Sequence, residues 1–222
     1  MARKASDLVI RRTAESDVPQ IVALQQSVYP APLVFTPEQI RNQMDAFPDG
    51  QLVATLGGKV VGAVSSLVVL WDDYGLNHLW KEVTGSGYFH NHNLDGRTLY
   101  GAEVLVDPDA RRLGIGGRLY AARRHLCQRM NLKRIMAAGR LPGYHQAKSS
   151  MSPELYAMKV IWGDLYDPVL RFQLDQGFHY CGIIHNYLPE DVESDGNAAL
   201  IVWLNPRYNP KRPTRLPRRK TE

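Results

Sequence analysis

Cysteine is scarce in this chain: Cys127 and Cys181 are the only two among 222 residues. Two cysteines do not build a disulfide framework, and no CxxC pair offers a zinc site. The usage fits a reducing compartment, so a cytoplasmic protein is expected. Long apolar runs are also missing. The longest, Val60 to Leu70, is interrupted by Gly62, Ser65 and Ser66, well short of the roughly 20 residues that cross a bilayer. The opening MARKASDLVIRR carries charge but no apolar segment of a signal peptide. These absences exclude disulfide-scaffold, collagen-like, wholly disordered and membrane-spanning readings. Among motifs, GxxxxGK[ST] and GxSxG are lacking, which removes a P-loop and a nucleophile elbow.

What is present is ordinary globular material: 44% hydrophobic and 22% charged residues, enough to bury a core in one domain. The net charge of +5 is unevenly spread. Residues 1–109 sum to −5 and residues 154–204 to −6, whereas 110–153 hold ten Lys/Arg and no acid. A basic block inside a periodic, apolar-rich segment belongs to folded structure and invites a polyanion. The second basic block, 205–222, holds four prolines and almost nothing to bury. It reads as a disordered, solvated tail rather than a nucleic-acid contact.

Patterning predicts alternating strands and helices, hence an α/β or mixed class. Strands are expected over 8–13, 51–56, 59–70, 98–106, 134–138, 178–185 and 198–204. Gly57-Gly58 provides a hairpin turn between the second and third. Helices are expected after Asp17, after the capping box Thr36-Pro37-Glu38-Gln39, over 112–130, after Ser152-Pro153, and between Asp167-Pro168 and Gly177. Residues 71–97 lack a clear period beyond a short helix near 76–83, and read as an inserted, functional loop.

The most informative run is Glu103 to Tyr120, EVLVDPDARRLGIGGRLY. A strand ends at Val106, Asp107-Pro108 turns the chain, and Gly114, Gly116 and Gly117 open an arginine-bearing helix. The first amides of a helix have no internal partner and face outward at the positive end of its dipole. Successive loop amides form a nest of the same preference. Beside ten cations the expected guest is a phosphate or pyrophosphate. A GxGxxG fingerprint is not met, because Leu119 occupies the third glycine position.

The string V-x-V-D-P-x-x-R-R-x-G-I-G-G resembles the coenzyme A loop of the GNAT (Gcn5-related) N-acetyltransferases, whose pattern R/Q-x-x-G-x-G/A is met by Arg111, Gly114 and Gly116. IRRTAESDVPQI and DPVLRFQLDQGFHYCG are similar to that family's first strand and helix and to its late helix and Gly-Phe strand entry. The resemblance covers about residues 7–204. It implies a mixed, splayed central sheet flanked by helices and acetyl transfer from acetyl-CoA, as cosubstrate, to a primary amine of a small molecule or peptide. The strand backbone of Val104, Leu105 and Val106 would pair with the pantetheine arm. The side of Arg111 and the amides of Arg112, Leu113, Gly114, Ile115, Gly116 and Gly117 would hold the pyrophosphate. LYGAEVLVDPDARRLGIGGRLY, LPGY and GDLYDPVLRFQLDQGF also resemble a GNAT subgroup often found N-terminal to a carbon–nitrogen (nitrilase-like) hydrolase domain. This implies a standalone form with a hydrolase partner as one alternative, in which the chain is a catalytically weak CoA-binding module. A longer acyl group and nucleic-acid association through the tail are further alternatives, and a homodimer is compatible with the reading.

Three groups are candidates for proton transfer: Glu103, Tyr100 and Tyr166. Glu103 is the only acid in its strand. Strict alternation sets it opposite Tyr100, Ala102, Val104 and Val106, the face from which family bases on this strand often act; a β-bulge would change the phase. The family's usual acid, a tyrosine four residues before Gly-Phe, is replaced by Gln173, and Tyr166 in LYDP is the nearby substitute. No metal site is expected: His90 and His92, with Asp95, lack a third ligand. Tyr88 or one of these histidines is placed over the acceptor pocket, and Cys127 is expected in the core.

Overall fold

The computed structural model describes residues 7–214. Seven strands form one mixed sheet: β1 (Leu8–Arg12), β2 (Leu52–Leu56), β3 (Lys59–Val69), β4 (Thr98–Val106), β5 (Arg134–Arg140), β6 (His179–Ile184) and β7 (Ala198–Leu204). Their order is β1-β2-β3-β4-β5-β7-β6. All neighbours are antiparallel except β4 and β5. The helices are α1 (Val18–Val28), α2 (Pro37–Ala46), α3 (Trp80–Thr84), α4 (Ile115–Arg129), α5 (Pro153–Trp162) and α6 (Pro168–Asp175). This is the mixed, helix-flanked sheet expected from the sequence.

Local chemistry explains most boundaries. Thr36 and Gln39 form the reciprocal capping box that opens α2. Gly57 and Gly58, both at positive φ, make the β2–β3 hairpin. Buried Asp167 starts α6 by accepting from the amides of Val169 and Leu170, and accepts from Gly143 N–H and Tyr156 Oη besides. It thereby ties the 141–152 segment to that helix. The helix expected from residue 112 starts three residues later. Arg112 and Gly114 have φ of 66° and 73°, which holds the preceding loop out of the helix.

Two irregularities shape the centre. First, β4 and β5 pair only from Thr98↔Arg134 to Gly101↔Ala137. Beyond that point the two strands diverge, β5 continuing against β7 alone. Second, Ser65 pairs with Glu103 and Ser66 with Gly101, so Ala102 is bulged. Arg123 of α4, almost wholly buried, closes the defect. Its Nη2 donates to Ser65 O at 3.1 Å and Glu103 O at 2.6 Å, and its Nε to Ser66 Oγ at 3.0 Å.

The beginning of the expected loose tail is anchored. Asn131 Nδ2 donates to the carbonyls of Asn209 and Arg212, Asn209 N–H donates back to Asn131 Oδ1, and Arg97 donates to Tyr208 Oη. Side-chain amides that satisfy backbone groups make this turn without an apolar core. Residues 215–222 of the tail lie outside the described residues. Among the described residues no helix is long and apolar enough to cross a membrane.

Candidate active site

The opening between β4 and β5 is a cleft of about 1010 Å³. Its walls include Gly101 to Val106, the segment from Ala110 to Gly117 apart from Leu113, and Ala137 to Arg140. One half is electropositive and suited to an anion. The first amide to turn back into α4 is that of Arg118, to Gly114 O, so the amides of Ile115, Gly116 and Gly117 precede the helical ladder. A Cβ at Gly116 would come within 2.9 Å of Phe172 Cζ, so only glycine lets backbone and ring approach here. Arg111, Arg112 and Leu113 are exposed beside the loop.

These features fit a CoA thioester. Past Gly101 β4 has no strand partner on the β5 side, so the backbone of Val104 to Val106 can meet an extended, amide-bearing arm. The helix start suits a diphosphate. Gln173 is buried between the walls with its Oε1 lacking a hydrogen-bond partner.

The other half is aromatic and acidic. Glu103 stands at its foot. The bulge at Ala102 has turned Glu103 onto the α1 face, which it shares with Tyr100 and Leu105, while Val104 packs toward α4. Gln25 Nε2 donates to both carboxylate oxygens, at 2.9 and 3.0 Å, and Gln25 Oε1 accepts from Phe35 N–H at 2.9 Å. Desolvation raises the Glu103 carboxyl to about 8, against the opposing pull of Gln25 and Arg123. Tyr29 Oη donates to Val104 O at 3.1 Å. Burial first, then Glu103, pushes that phenol well above its ordinary range.

The structure separates the three proton-transfer candidates. Glu103 lines the cleft; Tyr166 lines its rim, 72% exposed; Tyr100 does not line it. Tyr100 is fully buried, with its hydroxyl 2.8 Å from Tyr187 Oη and 3.0 Å from His78 Nε2. Because His78 Nδ1 lies 3.1 Å from Gly75 O, a carbonyl, Nδ1 carries the proton and Nε2 accepts from Tyr100. Tyr187 then donates to Tyr100, and Tyr187 is the member of this chain that reaches the cleft. Tyr100 thus touches the cleft only through Tyr187, and it is held among buried apolar residues of the sheet.

Three lining residues, Tyr29, Trp80 and Tyr120, and Gln25 behind them had no signal in the sequence. Tyr29 follows the end of α1, Trp80 lies in the segment expected as an inserted loop, and Gln25 and Tyr120 sit within α1 and α4, so no shared local pattern marks them. Tyr120 is nearly fully buried on α4, and Gln173 Nε2 lies 3.4 Å from its hydroxyl. Tyr88, by contrast, does not line the cleft. His92 Nδ1 accepts from Val68 N–H and its ring stacks on Phe47. Among the described residues no group of three His, Cys, Asp or Glu could hold a metal.

A mixed sheet parted between its central parallel strands, with a glycine-rich helix start at one end of the gap, defines a CoA-dependent acyltransferase fold. The family profile described as Acetyltransferase (GNAT) family matches residues 18–148, and the chain belongs to that family. Over 210 residues it is 33% identical to the Bacillus subtilis protein named Uncharacterized N-acetyltransferase YkwB, covering 93% of this chain and 92% of that one. It is 40% identical over 215 residues to Probable hydrolase YhcX of the same organism, covering 97% of this chain but 42% of YhcX. The chain therefore spans under half of that relative. Among solved structures, the GphF GNAT-like decarboxylase in complex with isobutyryl-CoA is 26% identical with a TM-score of 0.73, over 89% of this chain and 99% of that one. The loading GNATL domain of CurA from Lyngbya majuscula shares the fold, with a TM-score of 0.78 at 22% identity over 89% and 98% of the two chains.

Proposed function

We propose that the protein transfers the acetyl group of acetyl-CoA to a primary amine, with Glu103 as general base. The observation that carries this reading is a cleft-lining carboxyl near pKa 8, held by Gln25 at the end of a strand edge suited to the thioester arm. A base of that strength is half ionised at about pH 8 and can take the proton that a neutral amine releases on attack.

The backbone of Val104, Leu105 and Val106 holds the pantetheine arm. Arg111 and the amides of Arg112 to Gly117 hold the pyrophosphate. The amine nitrogen attacks the thioester carbon, the C–S bond breaks, and the amine proton passes to Glu103. The departing sulfur takes a proton from Tyr120, whose hydroxyl lies beside Gln173, the position of the family's usual acid. Tyr166 is the less suited donor because it stands in solvent at the rim. Glu103 then returns its proton to Tyr120 through solvent, and the cycle balances. Holding the two reactants together supplies a large share of the acceleration.

The test is thiol release from acetyl-CoA with a panel of amines, with acetylated product identified by mass spectrometry. Tyr120→Phe is expected to lower kcat about tenfold or more while CoA affinity stays within twofold. The partial coverage of YhcX favours a second reading, a CoA-binding module that serves a hydrolase. Tight CoA binding with no turnover on any amine would favour it. The likeness to GphF supports a third outcome, carbon dioxide release from a carboxyacyl-CoA without amine, which would displace the N-acetyltransfer reading.

A further inference from the structure

We infer that the acceptor is a small arylalkylamine-type molecule: an aromatic or apolar body that ends in one primary amine and carries no carboxylate. This deepens the N-acetyltransfer reading above and rests on it.

Aromatic rings from four separate segments meet around residues 102–104 of β4. Trp80 comes from α3 in the inserted segment, Phe35 from the α1–α2 connection, Tyr29 from the end of α1, and Tyr187 from the β6–β7 connection. Each is tied down. Trp80 Nε1–H donates to Ala102 O at 3.3 Å, its backbone N–H donates to Tyr187 O at 2.9 Å, and its ring stacks on Phe35 with centroids 5.6 Å apart. Tyr29 is fixed on Val104 O and Tyr187 on Tyr100. Rigid rings that line a cleft favour a flat apolar body, and they lose little entropy when it binds.

Charge then selects among such bodies. Glu103 at the foot and Glu190 and Glu193 at the rim are acidic. Arg140, the cation one would expect to receive a carboxylate, is already engaged. Its Nε donates to Asp191 Oδ2 at 2.7 Å and its Nη2 to Glu193 Oε2 at 2.8 Å. Lys81 is exposed at the rim, where an ion pair adds little. An α-carboxylate beside the amine would thus meet acids and an occupied arginine. A peptide acceptor would set its backbone amides against aromatic walls, where unpaired polar groups are costly.

The experiment compares phenethylamine, phenylalanine and a phenylalanine-initiated tetrapeptide in two assays on the full chain. One assay is acetyl-CoA thiol release. The other is amine binding to the protein–CoA complex, read as quenching of tryptophan fluorescence. Phenethylamine is expected to exceed both others at least tenfold in kcat/KM. Trp80→Ala is expected to raise its KM about tenfold and leave CoA affinity unchanged; Trp80→Phe, which keeps a ring, should recover most of that loss. A preference for phenylalanine or the peptide overturns the inference while acetyl transfer stands. Phenethylamine that binds selectively but yields no thiol, with every amine inert, supports the pocket assignment and overturns the acetyltransfer reading. If phenethylamine neither binds nor reacts, the inference is wrong.

Discussion

A carboxyl group taken out of water keeps its proton to higher pH, because the charged form loses more solvation than the neutral one. At Glu103 that cost outweighs the donors on Gln25 and the nearby Arg123, and the pKa stands at about 8. For a base, only the ionised fraction works. We therefore expect kcat to rise about tenfold per pH unit below this value and to level off above it. Glu103→Gln should lower kcat about 100-fold, remove this limb, and leave CoA affinity unchanged by calorimetry. Gln25→Leu gives a separate check. It deletes two hydrogen bonds to the carboxylate form, so the limb should move to higher pH. A limb that stays in place in both variants would remove Glu103 from the proposed role. The residue type was legible in the sequence, since Glu103 is the lone acid of its strand. Its face was not, because strict alternation fails at the bulge.

At the scale of elements, β4 and the middle of α4 depend on each other through Arg123. The bulge leaves the Ser65 and Glu103 carbonyls to a buried guanidinium instead of a regular ladder. Arg123→Met removes that donor, and a buried carbonyl without a partner costs on the order of 1–3 kcal/mol each. A fall in Tm of several degrees is expected, with loss of activity as Glu103 loses its place. The glycines of the loop act differently. Gly114 sits at φ 73° with open space where a Cβ would go, so the strain of a side chain there is conformational. Gly114→Val should weaken CoA binding at least tenfold in calorimetry and change Tm little. Retained affinity would count against the loop as the phosphate site. Glycine spacing and the change from strand to helix made this loop readable in one dimension. The helix start at Ile115 was missed by three residues, because a positive φ at Arg112 leaves no mark in residue type.

For the molecule as a whole, buried charge predicts how stability follows pH. Asp17 and Asp191, paired with Arg11 and Arg140, have lowered pKa values. Their contribution is present above the ordinary carboxylate range and is lost as pH falls through their folded values. Glu103 has the opposite sign. Its raised pKa gives stability that is full below its unfolded value, near 4.5, and is lost as pH rises through about 8. Thermal denaturation should thus show a Tm maximum in the mildly acidic range and a decline toward pH 8. Glu103→Gln should flatten the alkaline side and raise Tm at pH 8. An unchanged alkaline side would show that the carboxyl is solvated in the folded state.

The sequence alone determined the order of strands and helices, the basic stretch without acids, and the glycine-rich turn before α4. These are local: periodicity, capping and turn chemistry act over a few residues. Only the tertiary structure decided where β4 and β5 part, which way Glu103 faces, and how Gln25, Tyr29, Trp80 and Tyr187 gather around it. Those outcomes come from contacts between residues tens of positions apart, such as Gln25 with Glu103 and Trp80 with Ala102. A one-residue bulge, closed by an arginine from another element, sets the geometry, and no short-range pattern encodes it.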